Sequence, residues 1–409
     1  MTSVVFYLLL LLACRPDAAA NQSVDAAPKL ESPPVAVAAS WDLTTATSGA
    51  TAVHINNTSF LSQVYRHDKW MRIKASIHCI SNYGFWSFVG DRGGLLYQSP
   101  CYDGRYALGK CHIDYLYKNM SGLDYVWSTD GTDKLCGMKR NVSVLPFDRD
   151  RMCSLLDGHR ILLLGDSITD EFFYSLASTL IQSRSCRSSK EFSDGFRTVF
   201  EFGGNISYQL LETSAFECGR TTSIYVVRHD HFLISEFGDT YTATIHAQET
   251  LYGAGWHYLL KKLGIDLIIA NRGVHFVPND VVLTELEHTL SYHRQHHGSV
   301  SVIYRSSAPG HKNFDEVRYS APLSSEAEAQ LDLFSWDKLK LQNSLIRQLL
   351  RNSFNEVLYL DVYPSSVLRH DGHTTEDGLH YCIPGPIDNW VVLLYNLLSL
   401  LQNSHKKKS

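Results

Sequence analysis

Asp377 and His380 stand three residues apart in "EDGLHYCIPGPIDNW" (376–390). On a tight turn that offset lets a carboxylate oxygen meet one ring nitrogen and leaves the other nitrogen to face a nucleophile. The acid then fixes the imidazole tautomer and stabilises the imidazolium that forms. The matching nucleophile is Ser167, far upstream in Gly165-Asp166-Ser167. A serine hydroxyl attacks poorly until a base takes its proton. At a helix start it also gains backbone N–H donors and a positive dipole end suited to an oxyanion. Each residue has a plainer reading. Ser167 alone serves equally as an N-cap, and His380 is one of 19 histidines. His370 and His373, with Asp371, form a second, weaker candidate pair. Asn271 offers an amide to an oxyanion or to its own turn. Arg305, in "YRSSAPGH", holds either a polar substrate group or an acid. His275 and His311 are candidates to line a cleft.

These residues need a scaffold that brings position 167 to position 380. "HRILLLGDS" (159–167) is a continuous apolar run ending in a turn, and "ITDEFFYSLASTLIQS" (168–183) follows with helical periodicity. "IDLIIANRG" (265–273), "SVSVIYRSS" (299–307) and "EVLYLDVYP" (356–364) repeat the strand pattern. Helices are expected at 281–296, 332–352 and 386–402. Apolar strands alternating with helices predict a parallel sheet covered on both faces. In such sheets, sites gather at the carboxyl ends of the strands, where Ser167, Asn271, Arg305 and the 377–380 turn all fall. Residues 196–236 read as an inserted pair of hairpins. No internal repeat is present.

The 409 residues carry 44% hydrophobic and 19% charged side chains with net charge −5. These are values for a globular core with no basic surplus, so nucleic acid is not an expected partner. "VVFYLLLLLA" (4–13) with "DAAA" (17–20) reads as a signal peptide, or as a retained anchor; "LLAC" (11–14) also matches a lipoprotein box. Without Cys14, eight of the nine cysteines are left, an even number suited to an oxidising compartment. No Cys/His cluster has zinc spacing, so neither metal nor cofactor is expected. Sequons at Asn21, Asn56, Asn57, Asn119, Asn141 and Asn205 fit a secretory glycoprotein. The expected organisation is a signal segment at 1–20, a disordered stem at 21–52, a cysteine-rich subdomain of short strands and turns at 53–154, and a catalytic domain at 155–403.

Taken together, Gly165-Asp166-Ser167, Asn271 and Asp377-x-x-His380 resemble the blocks of the GDSL/SGNH hydrolase superfamily. Within it, "DGLHYCIPGPIDNW", "LLDGHRILLLGDSITDEFFYSLAS" and "VIYRSSAPGHKNF" are similar to the PC-esterase and trichome-birefringence-like glycan O-acetyltransferases and esterases. The spacing of Cys79, Gly84-Phe85-Trp86, Cys101, Cys111, Tyr125, Trp127 and Cys136 resembles the cysteine-rich module of the plant members. The resemblance covers about residues 75–402. It implies an α/β fold of the SGNH-like (flavodoxin-like) kind, a three-layer α/β/α parallel sheet with a small Cys-rich N-terminal subdomain. It implies Ser167 as nucleophile, His380 as base, Asp377 as its orienter and Asn271 as an oxyanion donor, with Gly203 or Gly204 of "FEFGGN" as the oxyanion glycine. It implies movement of an acyl group to or from a sugar hydroxyl: a polysaccharide O-acetyltransferase in the secretory pathway, or a carbohydrate acetylesterase. Gly378 and Phe314 stand where related sequences often carry cysteine. Two other readings compete. One is a glycan-binding scaffold with a dead site, favoured by the 11% aromatic content. The other is a membrane enzyme, for which "WVVLLYNLLSLLQ" (390–402) is short.

Overall fold

The computed structural model describes residues 67–90, 96, 124–129, 142–181, 196–201, 206–213, 222–228, 256–313, 321–374 and 377–403. The expected signal segment and stem, all six sequons, Phe314, Gly203 and Gly204 lie outside these residues, as does most of the expected cysteine-rich subdomain.

Nine strands and eight α-helices follow in chain order among the described residues. The N-terminal part holds α1 (His67–Asn82), β1 (Phe85–Phe88), β2 (Tyr125–Ser128) and α2 (Arg149–Leu156). Next come β3 (Arg160–Gly165), α3 (Ser167–Ile181), β4 (Phe196–Glu201), β5 (Ile206–Thr213), β6 (Thr222–Arg228), α4 (Trp256–Lys262) and β7 (Leu267–Ala270). The remainder is α5 (Asn279–His297), β8 (Ser301–Arg305), α6 (Leu339–Ser353), β9 (Leu358–Leu360), α7 (Tyr363–Ser366) and α8 (Asp388–Asn403). Seven strands form one sheet in the order β4-β5-β6-β3-β7-β8-β9. From β6 to β9 the five strands are parallel; β5 and β4 add antiparallel at one edge.

Side-chain alternation along β3 sets the layers, because successive residues on a strand face opposite sides. Ile161 and Leu163 pack with α1, α2, α3 and α8. Leu162 and Leu164 pack with α4, α5 and α6. All four are fully buried, at roughly 1.5–3 kcal/mol of burial each. That explains why the segment reads as an unbroken apolar run rather than an alternating one.

Two sequence expectations are corrected, and the membrane reading gains no support. Residues 196–228 are not two inserted hairpins: β4 and β5 form the antiparallel edge, and β6 is the fifth parallel strand, beside β3. Residues 75–82, read as the start of a cysteine-stapled subdomain, are the second half of α1. Its Trp70, Ile73, Ile77 and Ile80 recur at helical spacing and join the same core as β3. The apolar run 390–402 is no bilayer span: Trp390, Val391, Leu393, Leu394, Leu397 and Leu398 close one face of the sheet. Among the described residues no helix is long and apolar enough to cross a membrane.

Candidate active site

The end of β3 and the start of α3 form the turn that carries Ser167. Asp166 caps α3: its Oδ1 accepts the Ile168 N–H at 3.1 Å, the usual reach of an N-cap side chain. The capping role open to Ser167 thus falls to its neighbour, and the Ser167 hydroxyl is left for other work. Gly165 is dictated by space, since a Cβ there would run into Thr169 Oγ1 and lie 3.1 Å from Asn271 O. The other Asp166 oxygen accepts the Val274 N–H at 2.8 Å, tying the Ser167 turn to the segment after β7.

Ser167 Oγ lies 2.8 Å from His380 Nε2. His380 Nδ1 lies 2.8 Å from Asp377 Oδ2 and 3.0 Å from Oδ1. Asp377 Oδ1 also accepts the Leu379 and His380 backbone N–H groups at 2.9 and 2.8 Å. The carboxylate therefore folds its own turn as well as orienting the ring, which is why three residues suffice between them. Burial opposes charge on Asp377. The bonds from the His380 ring and from these N–H groups outweigh it and hold the carboxyl below its ordinary range. Behind the turn, Asp388 accepts from Ser175 Oγ at 2.5 Å and from the Gly385 N–H at 3.1 Å. The C-terminal signature is thereby fastened to α3, the helix that carries Ser167. As the first residue of α3, Ser167 has a backbone N–H with no intrahelical acceptor.

The other sequence candidates fall elsewhere. Asn271 reaches the strand ends, but its Nδ2 donates to Arg305 O at 2.9 Å and Ser307 Oγ at 3.1 Å, and its Oδ1 accepts the Gly273 N–H at 2.8 Å. Both amide protons bridge β7 to β8; serving an oxyanion requires one of these bonds to be exchanged. Arg305 makes its contacts inside the protein. It is 1% exposed, donates to Thr169 Oγ1 at 3.0 Å and to Ser306 O, and lies over the Trp390 ring at 4.5 Å. Burial lowers its pKa to about 10, against Asp166, which raises it, so it stays charged. His311 is buried and does not line a cleft, whereas His275 is exposed. Asp371 pairs with Arg369 at 2.8 Å, both buried, and His373 bonds to His311 rather than to Asp371.

Sequence reasoning missed two residues of this site. Asp166 stands inside the quoted tripeptide, and its isolation between two small residues at a helix start is a capping signal. Glu171 is fully buried one turn beyond Ser167, and its Oε2 accepts the Tyr381 N–H at 3.2 Å. Burial raises its pKa well above the carboxylate range, with Asp377 and Asp166 adding to the effect. Nothing in its sequence context separates it from a surface acid on α3.

Part of the chain matches the PC-Esterase family model. Residues 280–397 match that family model, described as the GDSL/SGNH-like acyl-esterase family found in Pmr5 and Cas1p. The matched span includes Arg305, Asp377 and His380; Ser167 lies outside it. No curated protein sequence matches the chain. Similar solved structures include a peptidoglycan O-acetylesterase, at 13% identity and a TM-score of 0.36, covering 62% of this chain and 94% of that one. They also include a carbohydrate esterase family 2 enzyme with a carbohydrate-binding domain from Corynascus thermopiles (Myceliophthora fergusii), at 12% identity and a TM-score of 0.31, covering 63% of this chain and 69% of that one.

Proposed function

We propose that the protein moves acetyl groups on and off glycan hydroxyls through an acyl-enzyme on Ser167, with His380 as general base and Asp377 as its orienter. The observation that carries this reading is the unbroken line Ser167 Oγ–His380 Nε2 and His380 Nδ1–Asp377 at 2.8 Å each. Ser167 Oγ attacks the ester carbonyl and gives its proton to His380 Nε2. The oxyanion forms beside the Ser167 N–H at the head of α3. Collapse breaks the ester C–O bond, the leaving oxygen takes the proton from His380, and acetyl-Ser167 is left. His380 then deprotonates the second nucleophile, which releases the acetyl group. Water makes the protein an esterase and a sugar hydroxyl makes it a transferase; the acyl-enzyme serves both.

The glycan reading draws support from the two similar esterases, whose names specify peptidoglycan and carbohydrate. We place the protein in the secretory pathway on its apolar N-terminus and its sequons, with residues 155–403 as the catalytic unit. The disulfide-bonded state of Cys79, Cys153 and Cys382 supports an oxidising compartment.

The test is labelling of the folded protein with a fluorophosphonate, followed by product analysis with a labelled acetyl donor and glycan acceptor. Labelling that disappears in Ser167→Ala, with turnover down roughly 10³-fold or more, is the expected result. Folded protein that takes no label, or a Ser167→Ala variant that keeps its turnover, removes the proposal and favours a glycan-binding protein.

A further inference from the structure

Behind His380 lies a second pair of imidazoles that the acyl-transfer steps leave unused. His311 and His373 are both buried, and His311 Nδ1 meets His373 Nε2 at 2.7 Å. The two outer nitrogens face carbonyl oxygens. His311 Nε2 is 2.9 Å from Val367 O, and His373 Nδ1 is 3.2 Å from the carbonyl oxygen of His380 itself. A carbonyl only accepts, and a neutral imidazole carries one N–H. The row Val367–His311–His373–His380 thus has three contacts that each need a proton, while two neutral rings supply two. At 2.7 Å the central contact is too short for two lone pairs, so it holds one proton. Val367 O is reached at the shorter outer distance. The His380 oxygen is already satisfied by the Thr374 N–H at 2.8 Å. The missing proton therefore belongs at the 3.2 Å contact.

We propose that His311 and His373 are a positioning pair for His380 that rests one proton short and is completed in acid by a proton on His373 Nδ1. The count itself is independent of catalysis; its catalytic meaning rests on His380 being the base of the proposed reaction. The peptide after His380 is held on both sides, its carbonyl by the Thr374 N–H, with His373 Nδ1 facing the same oxygen, and its N–H by Glu171. Proton uptake adds a charged donor to that carbonyl and places positive charge behind the catalytic ring, which opposes a second positive charge on His380. Burial pushes His311 down to about 3 and His373 well below its usual value, so the pair is neutral at neutral pH. The groups facing the pair act in both directions. His370, its ring 5.0 Å from His311, disfavours the added charge and Asp377 favours it. The Tyr381 ring stacks on His373 at 4.4 Å, and Arg369 and Asp371 neutralise each other alongside.

The test is nitrogen NMR of the full chain labelled at histidine, in the native protein and in Ser167→Ala. At pH 7 both rings should carry the proton on Nε2. Acidification should add one proton at His373 Nδ1 before unfolding, with a second inflection in the His380 ring signals at the same pH. His373→Gln keeps a donor toward His311 but has no titrating nitrogen at the His380 carbonyl. It should erase the second inflection, leave His380's own titration in place, and lower kcat several-fold at unchanged KM. An Nδ1 proton on His373 at pH 7, no uptake before acid unfolding, or a second inflection that persists in His373→Gln overturns the proposal. Should His373→Gln fail to fold, the tautomers of the native protein decide. Because Ser167→Ala contains the same pair, its spectra separate failure of the proton count from failure of the acyl-transfer reading.

Discussion

Two stretches of the sheet's carboxyl edge carry polar residues of equal promise, and the fold uses them in opposite ways. At the β3 edge, Ser167 Oγ has the His380 ring as its polar partner, and the Ser167 backbone N–H is free of the helix ladder. At the β7–β8 edge, Asn271 and Arg305 have their donors directed into the protein: to Arg305 O and Ser307 Oγ in one case, to Thr169 Oγ1 and Ser306 O in the other. Position at a strand end nominates a residue; uncommitted donors and acceptors qualify it. The second edge still serves the first. Through Asp166–Val274 and Arg305–Thr169 it fixes the loop and the helix turn on either side of Ser167.

The sharpest way to break this contrast is to disturb each edge in turn. Asp377→Asn keeps an oxygen for the turn's backbone N–H groups but presents an amide N–H to His380 Nδ1, selecting the wrong tautomer. kcat should fall roughly 10³–10⁴-fold with KM nearly unchanged, as read by steady-state kinetics on an acetyl ester. A loss under tenfold would mean that His380 needs no orienting acid. Arg305→Met should act on stability. It removes a buried cation beside Asp166 and leaves that carboxylate less compensated, at a cost of about 3 kcal/mol in denaturant unfolding. The folded fraction should keep KM within about threefold. A tenfold rise in KM with unchanged stability would return Arg305 to the substrate. Asn271→Ala should cost about 1–3 kcal/mol for the partners it strands, with kcat falling less than tenfold. A hundredfold fall at unchanged KM would show that the amide exchanges a strand bridge for the oxyanion during turnover.

How far the sequence can be read follows the same division. Four of the five parallel strands, β3, β7, β8 and β9, and the helices α3, α5, α6 and α8 announce themselves, since apolar runs such as Ile161–Leu164 must be covered on both faces. The Asp377–His380 turn is legible because the carboxylate that orients the ring also builds the turn, so one short interval encodes both. Arg305 was misjudged because its stacking on Trp390 joins residues 85 positions apart, which no local pattern reveals. β6 was misread for a related reason: its partner β3 is distant in the chain, while the antiparallel β5 is near. α1 is hard to read although Trp70, Ile73, Ile77 and Ile80 carry the helical period, because the cysteines and glycines that follow it are turn signals. The His311–His373 contact depends on two loops meeting and has no sequence signature.

The smallest expected effect is also the most specific to the catalytic edge. The Asp377 carboxyl is held below its ordinary range by bonds that exist only in the folded turn. Its folded-state pKa is thus depressed relative to the unfolded chain. The stability it contributes is complete above the unfolded value of about 4 and drains away as pH falls through the lower folded value. The side chain is 35% exposed, so water screens it and the contribution is modest. Denaturant midpoints recorded from pH 6 downward should therefore fall slightly less steeply in Asp377→Asn than in the native protein, the difference opening only below pH 4. The His380 ring signals of the folded protein should change only further down, as pH falls through the depressed folded value and the protonated acid stops orienting the imidazole. A difference that opens between pH 6 and 8 instead would point to His380 or a neighbouring imidazole, and would separate the turn's folding role from its role in catalysis.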